Sequence, residues 1–176
     1  MQTATRPDIS EMIAGSKGIV EGAKTRLLTV FEFVPDDKLN WSPSPESRTP
    51  VQIVSHCGAA NDAFARTIRG EKLELPSNPA EAAAMIRKAG SEVTSREVAV
   101  RMIEDTVAQV LSALDNVKPE DLDTSPVSPV GPLPFSWWMS FAGKHMEGHT
   151  HQMSYVQTIW GDYDDHILGP GEFRSR

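Results

Sequence analysis

Four long stretches of this chain repeat apolar side chains every three or four positions, and none alternates them. That spacing lines one face of an α-helix and does not suit a half-buried strand, so the fold is expected to be all-α. The first stretch runs from Ser10 to Val34 and carries Met12, Ile13, Ile19, Val20, Ala23, Leu27, Val30 and Phe31 before Pro35 ends it. A second runs from Pro50 to about Arg69, with Thr49 as its cap, Gly70 as its stop, and Ile53, Cys57, Ala60, Phe64 and Ile68 on its apolar face. The third spans Ser95 to Val117 and turns Val98, Met102, Ile103, Val107, Val110, Leu111 and Leu114 inward. In the last, Ser136 is placed to cap a helix that reaches Trp160 before Gly161 stops it, its inward face reading Phe141, His145, His149, Gln152, Met153, Val156 and Trp160. Between the second and third, Pro79 to Ala89 reads as a short helix closed by Gly90.

The connections are rich in proline. "KLNWSPSPESRTP" is a loop whose Leu39 and Trp41 are expected to anchor it to the core, and "KPEDLDTSPVSPVGPLPF" cannot continue a helix and forms a stiff crossover or a lid. Four principal helices within 176 residues make one domain, 1–176, built as a four-helix bundle with long crossover connections. The tail from Asp162 to Arg176 is expected along the surface.

Charge removes one class of partner. At a formal net charge of −7, with no basic run, the chain has no means of displacing counterions from nucleic acid. No apolar run approaches the ~20 residues that cross a bilayer, and "MQTATRPDISEM" lacks the layout of a signal peptide, so no membrane partner is expected and the expected address is cytoplasmic. Cys57 is the sole cysteine, which rules out an internal disulfide. It stands beside His56 and reads either as a nucleophile or as a small core residue.

Three of the five histidines fall within "GKHMEGHTHQMSY". On a helix His145 and His149 are one turn apart on one face, whereas His151 lies about 200° further round from His149 and points elsewhere. His56 sits three positions after Ile53 and four before Ala60, on the inward face of the second helix. Either His56 is a core histidine and the other two a solvated pair, or the three share a metal. Three imidazoles on apolar stripes cost roughly 1 to 3 kcal/mol each unless paired, and one divalent ion satisfies them all. Three protein ligands leave coordination positions open, the mark of a catalytic rather than a structural site, and zinc, nickel or iron(II) would accept them. Glu147 points about 160° from His149 and is no candidate base. Asn61 and Asp62 either orient a ligand or have a solvated or helix-packing role. Phe135, Trp137 and Trp138 form a pocket wall or anchor the last helix, and Met85, Met102, Met139, Met146 and Met153 read as core filler.

The stretches "VPDDKLNWSPSPESRTP", "TPVQIVSHCGAANDAF" and "KHMEGHTHQMSYVQTIWGD" resemble the DinB/YfiT-like metalloenzyme family over nearly the whole chain. The resemblance implies a divalent metal on His56, His145 and His149, with Gln152 as a motif residue beside the site rather than a ligand. It also implies the reactions of characterised relatives: transfer of low-molecular-weight thiols such as mycothiol or bacillithiol, a mycothiol-dependent maleylpyruvate isomerisation, or hydrolysis. This chain departs from the pattern in its extra His151 and in the length of its proline-rich stretch. The expected function is thus a divalent-metal-dependent thiol transferase or hydrolase acting on a small-molecule substrate, with a low-molecular-weight thiol as a second cofactor. The alternative is a non-catalytic metal-stabilised bundle or a small-ligand-binding module. Leu28 and Phe33 lie off the main apolar stripe of the first helix, and a homodimer is expected through that face.

Overall fold

The structure, a computed structural model, describes residues 8–128 and 131–166. Residues 1–7, Pro129 and Val130 of the proline-rich stretch, and the tail beyond His166 lie outside the described residues. Five helices carry the fold: α1 (Ile9–Glu32), α2 (Pro50–Ile68), α3 (Pro79–Lys88), α4 (Arg96–Asp115) and α5 (Phe135–Ile159). A single 3-10 turn at Pro119–Asp123 and a minimal antiparallel pair, β1 (Val127–Ser128) with β2 (Gly131–Pro132), precede α5.

Helix starts follow the cap chemistry. Thr49 and Gln52 close a full capping box at α2, and Asp8, Asn78 and Ser95 each accept from a first-turn amide of α1, α3 and α4. The exception is α5. Ser136 does not cap it; the helix begins at Phe135 after Pro134 without a side-chain cap. The Phe135 amide instead donates to the Thr124 carbonyl at 3.1 Å, so the preceding loop closes the end that a cap would otherwise close.

The four long helices form a square. α1 neighbours α4 and α5, α2 neighbours the same two, and α1 and α2 sit on a diagonal. α1 and α5 run parallel: Ile19 packs on Gly143, and further along the Gln157 amide meets the Val30 carbonyl. A Cβ on Gly143 would lie 2.8 Å from the Ile19 carbonyl oxygen, so only glycine allows this approach. α4 is antiparallel to α1, tied by Lys17–Asp115 at one end and by Arg96 to the Phe31 carbonyl at the other. α5 is antiparallel to α2, as successive contacts His56–His149, Asn61–Met146 and Phe64–Phe141 show. α2 and α4 are therefore parallel. Both long connections are present, but only the one through α3 travels the length of the bundle, while the proline-rich segment spans one end.

The core is filled by Leu27, Phe31, Ile53, Ile103, Leu114, Met139, Met146 and Met153, each at most 1% exposed. At roughly 1.5–3 kcal/mol for each large apolar side chain, this burial drives assembly of helices too weak to stand alone. Leu39 packs on the core and Trp41 meets Trp160 edge-on at 5.7 Å, as expected of loop anchors. Several apolar assignments shift. Val98 is 41% exposed and Met85 is 51% exposed, because α3 and the first turn of α4 lie at the edge of the bundle. Leu28 is half-buried against the core and Phe33 stacks on His166 at 3.9 Å. That contact also seats the start of the tail: His166 is buried and pairs with Asp162 at 2.7 Å.

Candidate metal centre

His56, on α2, meets His145 and His149, on α5, at the seam between the two helices. Ring centroids are 5.3 Å apart for His56–His145, 5.0 Å for His56–His149 and 4.5 Å for His145–His149. Each ring offers one nitrogen such that the three atoms lie within 4.8 Å of one another, a spread that small ring rotations reduce to a site with metal–nitrogen bonds of ~2.1 Å. Among the described residues no cysteine, aspartate, glutamate or further histidine joins the group. His151 is exposed, as its helical phase requires, and Glu147 is exposed as well.

Two of the rings are held by their Nδ1 atoms. His149 Nδ1 lies 2.8 Å from the Gln152 amide oxygen, which accepts its proton and leaves Nε2 bare. His56 Nδ1 lies 3.3 Å from the Ala89 carbonyl, with the same consequence. Gln152 is thus an orienting partner and not a member of the cluster. His145 differs. Its Nδ1 is buried and has no hydrogen-bond partner, the one imidazole nitrogen among the described residues left so. A buried imidazole nitrogen left unsatisfied beside two other imidazole rings is the chemistry a cation completes, and the donor set fits a borderline divalent ion.

The backbone that holds His56 depends on a glycine. Gly90 adopts φ +82°, and a Cβ there would lie 2.6 to 2.8 Å from the main chain of Ser55 and His56. Only glycine lets the end of α3 pass this close to α2. The carbonyls of Ala89, Gly90 and Ser91 then face His56, the Ser55 hydroxyl and the Gln52 amide, and the Arg87 carbonyl accepts from Arg48.

Electrostatics keeps the rings neutral. Burial pushes the His56 pKa down to about 4, with the Arg48 charge and His149 adding to the effect and the Ala89 carbonyl opposing it. Burial takes His145 down to about 3, helped by His149, His56 and Arg48. His149 is also lowered by burial, partly offset by Gln152. Neutral imidazoles are what metal ligation requires. Cys57 is fully buried, and burial drives its thiol far up, so it is a core residue and not a nucleophile.

On the α5 side, Phe141 and Phe64 close round His145 at 6.1 and 5.4 Å, and Trp137 stacks on Phe141 at 3.7 Å. Trp138 and Phe135 are buried and anchor the helix, whereas Trp137, Phe64 and Phe141 are half-exposed and form a wall beside the cluster. Asn61 is fully buried, its amide nitrogen on the Met146 sulfur at 3.4 Å, so of the roles open to it the structure shows helix packing, between α2 and α5. A cavity of about 1250 Å³ lies at the C-terminal end of α2, lined among others by Ile68, Leu73, Ile86, Lys118 and Phe135, and shares no residue with the histidines. The convergence of three rings and an unpaired nitrogen marks the site better than cavity size does.

Arg48 was not legible as a site residue. It lies in a proline- and serine-rich loop, and only the fold back over α2 brings it to His56. The Ala89 carbonyl is main chain, which side-chain patterns do not report.

No helix among the described residues is long and apolar enough to cross a membrane. No curated protein matches the chain. A conserved protein from Enterococcus faecalis, known from its crystal structure, superposes with a TM-score of 0.63 at 18% identity over 84% of this chain and 96% of that one, a likeness of fold. The profile of the DinB superfamily matches residues 20–153, a span that holds α2, the greater part of α5 and all three histidines. With well over half of its length matched, this all-helical chain belongs to the DinB superfamily.

Proposed function

We propose that the chain is a divalent-metal-dependent enzyme whose ion sits on His56, His145 and His149 and whose open position receives a small-molecule substrate. The reaction is transfer involving a low-molecular-weight thiol, or hydrolysis. The observation that carries this reading is the convergence of three neutral imidazoles, one ligand nitrogen of each lying within 4.8 Å of the others, one ring having a buried nitrogen that nothing satisfies. Zinc, nickel or iron(II) suits three nitrogen donors. Such an ion, when bound, supplies a Lewis-acid centre that lowers the pKa of a thiol or water. The chain's own residues do the rest: Ala89 and Gln152 fix the tautomers of His56 and His149, and Phe64, Phe141 and Trp137 keep water from the His145 side.

Because the histidines bridge α2 and α5, a metal that only ties these helices together is the second reading. The two separate on chelation. A structural metal raises the melting temperature strongly and supports no turnover of thiol or ester substrates, whereas a catalytic one is required for turnover.

The premise is tested by elemental analysis of protein purified without an affinity tag. Near-stoichiometric metal is expected in the wild type and in His151→Ala, and loss of tight binding in His149→Ala. Equal metal content in wild type and His149→Ala, or parallel loss in both variants, defeats the ligand assignment.

A further inference from the structure

Arg48 precedes the cap of α2 by one residue, and its guanidinium folds back over the helix to lie beside His56. The side chain is half-buried. Its Nη2 donates to the Arg87 carbonyl at 3.1 Å and lies 3.4 Å from His56 Nδ1. Among the described residues, no carboxylate forms an ion pair with it. Cys57 is held neutral by burial and is no counter-ion either.

The hydrogen bonding at His56 leaves the guanidinium fork largely free. A protonated Nδ1 that donates to the Ala89 carbonyl has no lone pair to offer Arg48, so the Arg48 contact is then no hydrogen bond. Of five N–H donors, only the one on the Arg87 carbonyl is then committed. The charges acting on the three imidazoles are Arg48 and one another, with no carboxylate among them, although the whole chain is acidic. A divalent ion on neutral ligands beside a half-buried guanidinium concentrates positive charge with nothing opposite it, an arrangement stable only when an anion completes it.

We propose that Arg48 and the open position beside the three histidines form a subsite for an organic carboxylate, which the planar fork grips while the Phe64 and Phe141 rings abutting His145, with Trp137 stacked on Phe141, take its apolar body. The inference rests on the metal reading and adds the substrate class: an anion bearing an aromatic or apolar group. Carboxylate is favoured because the guanidinium presents paired, coplanar donors that match its two oxygens.

The test is calorimetric titration of benzoate, and of benzyl alcohol as its uncharged counterpart, into zinc-loaded wild type, Arg48→Gln and Arg48→Lys. Wild type is expected to prefer benzoate over the alcohol, Arg48→Gln to bind benzoate at least about tenfold more weakly with the alcohol unchanged, and Arg48→Lys to fall between. Zinc affinity is expected to be undiminished in Arg48→Gln, since a neighbouring positive charge has been removed, and this also reports that the variant is folded. If benzoate binds all three proteins equally, or binds wild type no better than the alcohol, the carboxylate subsite is overturned while the metal site stands. If zinc binds none of them, the metal reading fails and this one falls with it.

Discussion

His145 carries the greatest strain of the three imidazoles: it has a buried nitrogen without a partner, and the largest depression of its pKa, to about 3. The sign of the resulting pH dependence follows for the metal-free protein. An unfolded histidine titrates near 6.5, while His56 and His145 in the folded chain resist protonation down to about 4 and about 3. Below about pH 6.5 the unfolded chain therefore takes up protons that the folded chain refuses, and stability falls with acidification toward pH 4; above that window these groups make no difference. Urea midpoints of chelator-treated protein at about pH 7 and about pH 5 are expected to show this loss, and His145→Gln to reduce it. An identical pH slope in the variant would contradict the burial argument.

Among the elements, α2 carries His56 and has the best-defined start. Thr49 accepts from Gln52 and Gln52 returns the bond, while the Gln52 amide nitrogen also reaches the Ser91 carbonyl. Thr49→Ala is expected to cost about 1 kcal/mol in urea unfolding, with zinc affinity little changed because His56 lies beyond the first turn. A loss under a few tenths would mean that packing alone sets this end. The start of α2 was readable in advance because a cap is local chemistry: a threonine followed by a proline announces it at Thr49. The histidine set was readable for a similar reason, since helical phase turns His145 and His149 the same way and His151 away. What was hidden depends on tertiary approach. Ser136 looked like a cap until a carbonyl eleven positions earlier in the preceding loop, that of Thr124, took the Phe135 amide. The inward stripe of α5 is also rotated from its expected setting: Met139, Met146 and Met153 fill the core, and the histidines flank them at the seam with α2. Arg48 and the Ala89 carbonyl became visible only once the chain had folded back.

At the scale of the whole molecule, two parallel pairs, α1 with α5 and α2 with α4, oblige the chain to return along the bundle between α2 and α4, and α3 lies on that return. α3 itself is thinly held: Ala82 is its one buried residue, and Met85 and Ile86 are 51% and 39% exposed. Its grip on the rest of the protein is concentrated where the carbonyls of Arg87, Ala89, Gly90 and Ser91 meet Arg48, His56, Ser55 and Gln52. A segment docked chiefly by its last turn opens as a unit at low free energy, and whatever fixes its docking point governs how often it opens. Fixing the His56 ring with Nδ1 toward Ala89 does so. Amide hydrogen exchange in residues 87–93 is therefore expected to slow when zinc is added and to remain fast in His149→Ala, although that stretch holds none of the three histidines; exchange there indifferent to zinc would show that α3 closes on its own. The return segment would then act as a reporter of occupancy, sealed over the seam while the histidines are engaged and open to solvent, proteases and exchange when they are not.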